Sequence, residues 1–180
     1  MIRALLLVFV QLPLLLTAQN RFQFIAEKID FTLNASRFST NGIYEFVNNS
    51  DHELEQAIVF PFSIHADSVL VKRVYNLTYN KFINFQQNNH SIVFRMTILP
   101  TDTVKLNLAY SQKTGIENVY ILRSTQTWNK PLQKAVYSLS YDDSIDIDSV
   151  SLQPDSIVGH VYYWAKTNFF PKDDFTVRIK

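Results

Sequence analysis

The chain contains no cysteine, and that absence removes disulfides, thiolate metal centres, cysteine nucleophiles and the lipid-acceptor cysteine of bacterial lipoproteins in one step. Glycine is scarce as well, at 3 residues against 14 phenylalanines and 9 tyrosines, a balance that favours pleated strands over helices and loops. Neither sign of charge dominates. Lys and Arg number 17 against 16 Asp and Glu, and removing Arg3 with a cleaved leader leaves 16 of each. A surface so balanced has no electrostatic footprint for a phosphate backbone, which argues against nucleic acid as a partner. No window beyond Gln19 carries a helical apolar stripe, so a basic amphipathic helix that could lie on a membrane is missing too.

Only one long hydrophobic run exists, from Ala4 to Leu16, and Pro13 interrupts it. It is shorter than the roughly 20 apolar residues that cross a bilayer as a helix. With Arg3 ahead of it and Ala18 behind, the segment reads as a secretory signal peptide over residues 1–18, cleaved after Ala18. The bulky Leu16 leaves room for the cut to fall at a neighbouring bond. The expected mature product, residues 19–180, is exported to the periplasm or cell exterior and has no membrane span. A chain of this size can bury enough apolar surface to fold without disulfides.

Beyond the leader, short alternating blocks are separated by turn residues about every ten positions, the rhythm of strands. Ile29, Phe31 and Leu33 alternate, and Tyr44 and Phe46 follow after a break at 34–40. Gln56 to Phe62 forms a strand ending near Pro61, which cannot donate to a ladder. A hairpin is expected over Phe82 to Ile98, with Gln86 to Asn89 as its loop and Ile92, Phe94, Met96 and Ile98 on one face. Val104, Leu106, Leu108 and Tyr110 continue the pattern, and Ala135, Tyr137, Leu139 and Tyr141 repeat it. Ile145 to Leu152, Val158 to Ala165 and Phe175 to Ile179 complete roughly ten strands. Such strands close their apolar faces most simply as two packed sheets. The expected fold is all-β, a single-domain antiparallel β-sandwich, with a closed barrel as the alternative.

Three segments resemble a family of exported bacterial domains of unknown function. Tyr44, Phe46, Asn48, Ser50 and Asp51, followed by Phe60 and Pro61, match its Y-x-F-x-N-x-S-D and F-P elements. Tyr120, Ile121 and Leu122, then Trp128, Pro131 and Leu132, match a Y-I-L and W-x-x-P-[IL] block. Pro171, Asp174 and Val177 match its closing P-x-x-D-x-x-V strand. The resemblance implies an exported β domain; the family brings no assigned activity.

Catalytic signatures are absent. His52, His65, His90 and His160 show no metal spacing, and no G-x-S-x-G elbow occurs. Asp142, Asp143, Asp146 and Asp148 form the densest carboxylate cluster and the one weak candidate for a cation. They lack the turn glycine and closing glutamate of an EF-hand, and Asp146 and Asp148 share a strand face that is ordinarily solvated. Trp128, Trp164 and Tyr162 are candidate binding aromatics. Trp128 stands out because it falls in a polar loop, where it would either plug a corner of the sandwich or face a ligand.

An Asp, a hydroxyl residue and an aliphatic residue recur around Ser68, Thr103, Ser144, Ser149 and Ser156. The pattern resembles the O-glycan acceptor of exported Bacteroidota proteins, and equally suits turns that open strands. N-x-S/T sequons stand at Asn34, Asn48, Asn76 and Asn89. These features point to an exported, non-catalytic binding, adhesion or envelope-associated module without a cofactor, whose partner would be an envelope protein or glycan. The alternatives are a secreted hydrolase with residues assembled from separate strands, favoured by a cleft holding two carboxylates, and a carbohydrate-binding module.

Overall fold

The computed structural model describes residues 21–65 and 68–180; the leader expected over residues 1–18 therefore lies outside the described residues. Among the described residues, fourteen strands form two layers. One layer is a continuous eight-stranded sheet built from β1 (Phe22–Leu33), β2 (Arg37–Asn48), β4 (Val69–Asn76), β5 (Lys81–Phe82), β8 (Thr103–Lys113), β10 (Leu132–Tyr141), β12 (Ser156–Val158) and β13 (Val161–Phe169). Its order is β12-β13-β10-β1-β2-β8-β4-β5. The other layer is split. One three-stranded sheet holds β3 (Leu54–Pro61), β6 (Phe85–Asn88) and β7 (Ser91–Ile98) in the order β3-β7-β6. The second holds β9 (Glu117–Tyr120), β11 (Ile147–Val150) and β14 (Phe175–Ile179) in the order β11-β14-β9.

Period-two patterning dictates which face is buried. Along β2, Phe38, Thr40, Tyr44, Phe46 and Asn48 all turn inward, while Arg37 and Asn41 are exposed. On β7, Ile92, Phe94, Met96 and Ile98 are all buried, as their alternation predicts. The two small sheets cover different halves of the large one. Phe175 of β14 stacks on Phe31 of β1 with centroids 4.6 Å apart and meets the edge of Trp164. Beyond β3, Phe62 packs on Tyr110 of β8 at 5.0 Å, and Phe60 sits against the same ring. The architecture is thus a sandwich and not a barrel.

Three local expectations are corrected. Gln86 to Asn88, expected in a loop, belong to β6, so the hairpin turns at Asn89 and His90 instead. The segment expected as one strand from Val158 to Ala165 is broken by a turn, because Gly159 takes a φ of 56° that suits a two-residue hairpin between β12 and β13. A short 3-10 helix, Arg123–Trp128, replaces the expected loop around Trp128. One pairing departs from the antiparallel rule: β1 runs parallel to β10, with Ile29 opposite Tyr137.

Candidate functional site

The split in the second layer leaves a cleft over the middle of the large sheet. Its cavity volume is about 480 Å³, within the range of small-ligand sites. Strand β3 forms one wall, the 3-10 helix the other, and the inner face of β1, β2 and β8 the floor. At one end the segment that follows β3 reaches β9, where the Ser63 hydroxyl donates to the Val119 carbonyl at 2.9 Å.

The helix wall is fixed by a single carboxylate. Asp174 Oδ1 accepts the backbone N–H groups of Leu122 at 3.0 Å and Arg123 at 2.9 Å, satisfying donors that a helix start leaves orphaned. Its Oδ2 accepts both Nε and Nη2 of the Arg123 guanidinium, at 3.0 and 2.9 Å, a charge-assisted pair converging on one oxygen. At the far end, Asn129 adopts a left-handed φ of 54° and closes the turn onto the Gln126 carbonyl, while the Gln126 side chain donates to the Pro171 carbonyl. Held at both ends, the helix lays Trp128 against Phe22, Phe24 and Phe46, with centroids 5.3 to 6.1 Å away.

On the floor sits an unexpected group. Phe22 and Phe24 point inward, and then a bulge between Phe24 and Ala26 shifts the register against β2. Bulges re-aim side chains, and this one brings Glu27 onto the buried face in phase with Ile29, Phe31 and Leu33. Glu27 is only 3% exposed. The Tyr137 hydroxyl donates to its Oε1 at 2.5 Å. Tyr44 and Tyr120 complete the cluster, their hydroxyls 3.1 Å apart. Burial pushes the Glu27 carboxyl up to about 7, although hydrogen bonds from Tyr137 and Tyr120 pull the other way. The phenols of Tyr44, Tyr120 and Tyr137 are driven above their ordinary range by the same burial, with the nearby carboxylate adding to it.

Of the aromatics named from sequence, Trp128 is half-buried and lines the cleft. Trp164 is 1% exposed and belongs to the core, its indole N–H bonded to the Leu152 carbonyl, so it offers no surface to a ligand. Tyr162 packs between Tyr141 and Trp164 away from the cleft. Asp142, Asp143, Asp146 and Asp148 do not converge: Asp143 pairs with His160 and Asp146 with Lys180, and among the described residues no three His, Cys, Asp or Glu side chains gather as a metal site. Ser68, Ser144, Ser149 and Ser156 are exposed, whereas Thr103 is half-buried at the start of β8. The aspartates beside two of these hydroxyls organise backbone: Asp102 accepts the Thr103 N–H and Asp155 the Ala165 N–H. The sequon asparagines Asn48 and Asn76 are buried. Asn48 donates to the His52, Ile98 and Leu99 carbonyls.

Residues that carry the family resemblance meet here. Tyr44, Phe46, Phe60, Pro61, Tyr120 and Trp128 all line the cleft, and Asp174 of the closing pattern clamps Leu122 of the Y-I-L block. Glu27 was missed at the sequence level, although it continues the spacing of Ile29, Phe31 and Leu33 and so marks a charge on an apolar face.

No family model matches the chain, and no curated protein matches it. Solved structures do share its fold. A candidate nutrient binding protein of Legionella pneumophila superposes with a TM-score of 0.65 at 14% identity, over 89% of this chain and 67% of that one. An M1 zinc metallopeptidase of Deinococcus radiodurans gives 0.53 at 10% identity, over 89% of this chain and 43% of the peptidase. Native yeast LTA4 hydrolase gives 0.52 at 10% identity, covering 91% of this chain and 30% of that one. The chain thus spans less than half the length of either of the latter two, and at such identities the likeness is one of fold. A helical H-E-x-x-H supplies two zinc ligands in many metallopeptidases. The stretch from His52 to Gln56 begins His-Glu but ends in Gln56, and it leads into a strand.

Proposed function

We propose that this protein is an exported, non-catalytic binding module that takes its ligand into the aromatic cleft between the two small sheets. The observation that carries this reading is the cleft itself: seven aromatic rings, of Phe24, Tyr44, Phe46, Phe60, Phe94, Tyr120 and Trp128, surround one buried carboxyl. Flat rings supply large contact area at little entropic cost, and a few fixed polar groups supply orientation. The Legionella protein of the same fold is named for binding, which agrees with this reading.

The hydrolase alternative has one point in its favour, a carboxyl poised near neutral pH. Glycoside hydrolysis, however, uses a pair of carboxyls about 5 to 9.5 Å apart, and Glu27 is the sole carboxylate among the residues lining the cleft. A single acid held by tyrosines serves recognition better than turnover. Export rests on the leader at residues 1–18.

The test is ligand mapping by ¹H–¹⁵N NMR on the mature protein, with peptide and oligosaccharide pools from its own cell envelope. Shifts centred on the Trp128 indole and the Phe60 amide are expected from at least one pool. Shifts confined to residues outside the cleft would overturn the assignment.

A further inference from the structure

The wall formed by β3 is an open strand edge. β3 pairs with β7 alone and ends its sheet, so half of its backbone groups face the cleft. Which half follows from register. The Phe62 N–H donates to the His90 carbonyl at 2.7 Å, just beyond the pair Pro61 and Ser91. In an antiparallel ladder, residues alternate between bonding the partner and facing away. Phe60 and Ile58 therefore bond β7, while Ala57, Val59 and Pro61 turn their backbone outward. Two features agree: Pro61, which has no N–H, occupies an outward position, and the Gln56 side chain donates to the outward Ala57 carbonyl at 3.0 Å.

A chain laid along that edge would fill the break in the second layer. Its alternate side chains would drop toward the floor, where Glu27 lies. Buried carboxylates are ordinarily paired with a cation, yet no Lys, Arg or His lines this cleft. Its β3 wall is mainly apolar, its helix wall sets Ser124, Thr125 and Thr127 beside Trp128, and its floor carries an acid without a cationic partner. Its rim offers the outward backbone groups of Val59 and the Ala57 N–H, the Ala57 carbonyl being held by the Gln56 side chain.

We propose that the cleft binds an extended peptide, which adds to β3 through the backbone of Ala57 and Val59 and delivers a lysine or arginine side chain to Glu27. This rests on the cleft being the binding site and goes further by naming what enters it. Main-chain bonds would supply affinity and the pocket for one alternate side chain would supply selectivity, as in other strand-addition complexes.

The probe is a blocked peptide, acetyl-Val-Thr-Val-Lys-Val-Thr-Val-amide, beside its norleucine analogue and acetyl-lysine-amide. The lysine peptide is expected to bind at least about tenfold tighter than the other two, a difference of roughly 1.4 kcal/mol, and to protect the Ala57 and Val59 amides from exchange. Glu27→Gln should equalise the lysine and norleucine peptides. Val59→Pro, which removes an edge N–H without touching the β7 ladder, should abolish protection at Ala57 while leaving the fold intact by its NMR spectrum. Equal binding of the norleucine peptide, with Trp128 shifted by both, overturns the cation and leaves the cleft as a binding site. Equal binding of acetyl-lysine-amide overturns strand addition. Perturbation of neither Trp128 nor β3 by any of the three overturns the peptide proposal, and the envelope-pool mapping then decides separately whether the cleft binds at all.

Discussion

A methyl group added at Gly42 would lie 2.3 Å from the hydroxyl of Tyr44. The Tyr44 ring lies back along β2 over a position that only glycine leaves vacant, and that placement lets its hydroxyl reach Tyr120. Gly42→Ala should push the ring off this site, break the contact with Tyr120 and destabilise the domain by about 1 to 3 kcal/mol, the usual cost of overpacking. Urea denaturation measures the loss, and the displaced ring should shift the Tyr120 resonances.

Glu27 couples stability to pH. Its carboxyl ordinarily titrates at 4.5 and is raised to about 7 in the fold. Between these values the folded protein holds a proton that the unfolded chain has released, so stability falls as pH rises through this window and stays low above it. Below 4.5 both states are protonated and the penalty vanishes. The size of the fall is roughly 3 kcal/mol. Glu27→Gln, which keeps an acceptor for Tyr137 and cannot ionise, should flatten this part of the profile and be more stable than the parent in mildly alkaline buffer. Thermal melts across the window check it.

Asp174 is the anchor of the helix wall. Asp174→Ala removes the acceptor of the Leu122 and Arg123 backbone N–H groups and should cost about 1 to 3 kcal/mol, loosening Trp128 from Phe22 and Phe46. Arg123→Ala should matter far less, because its guanidinium is mostly solvated and surface pairs contribute little. Trp128 indole relaxation in the two variants separates them.

The mature protein purified from its native envelope should begin at Gln19 by intact mass. Any mass above that of the polypeptide should map to Ser68, Ser144, Ser149 or Ser156, all exposed, and not to Thr103, which is half-buried where β8 begins. Retention of Met1 would contradict export.

Much of the fold was legible because alternation is local: Ile92, Phe94, Met96 and Ile98 share a face whatever lies around them. The parallel pairing of β1 with β10 was not, since Ile29 and Tyr137 meet only through the tertiary fold. Val158 to Ala165 misled because an apolar run hides a turn that Gly159 alone permits. For the site, Trp128 stood out as a ring without a strand, whereas Trp164 in a regular strand was simply core. Glu27 left a trace that the bulge obscured. Counting by two from Leu33 reaches it, but counting from Phe24 steps past it onto Ala26.

The cleft floor holds a buried acid beneath a ring of aromatics. The ¹³Cδ shift of Glu27, followed against pH in the unliganded protein, reads that burial at the carboxyl itself. A midpoint near 7 is predicted; a midpoint at the ordinary 4.5 would contradict a floor on which burial outweighs the tyrosine hydrogen bonds.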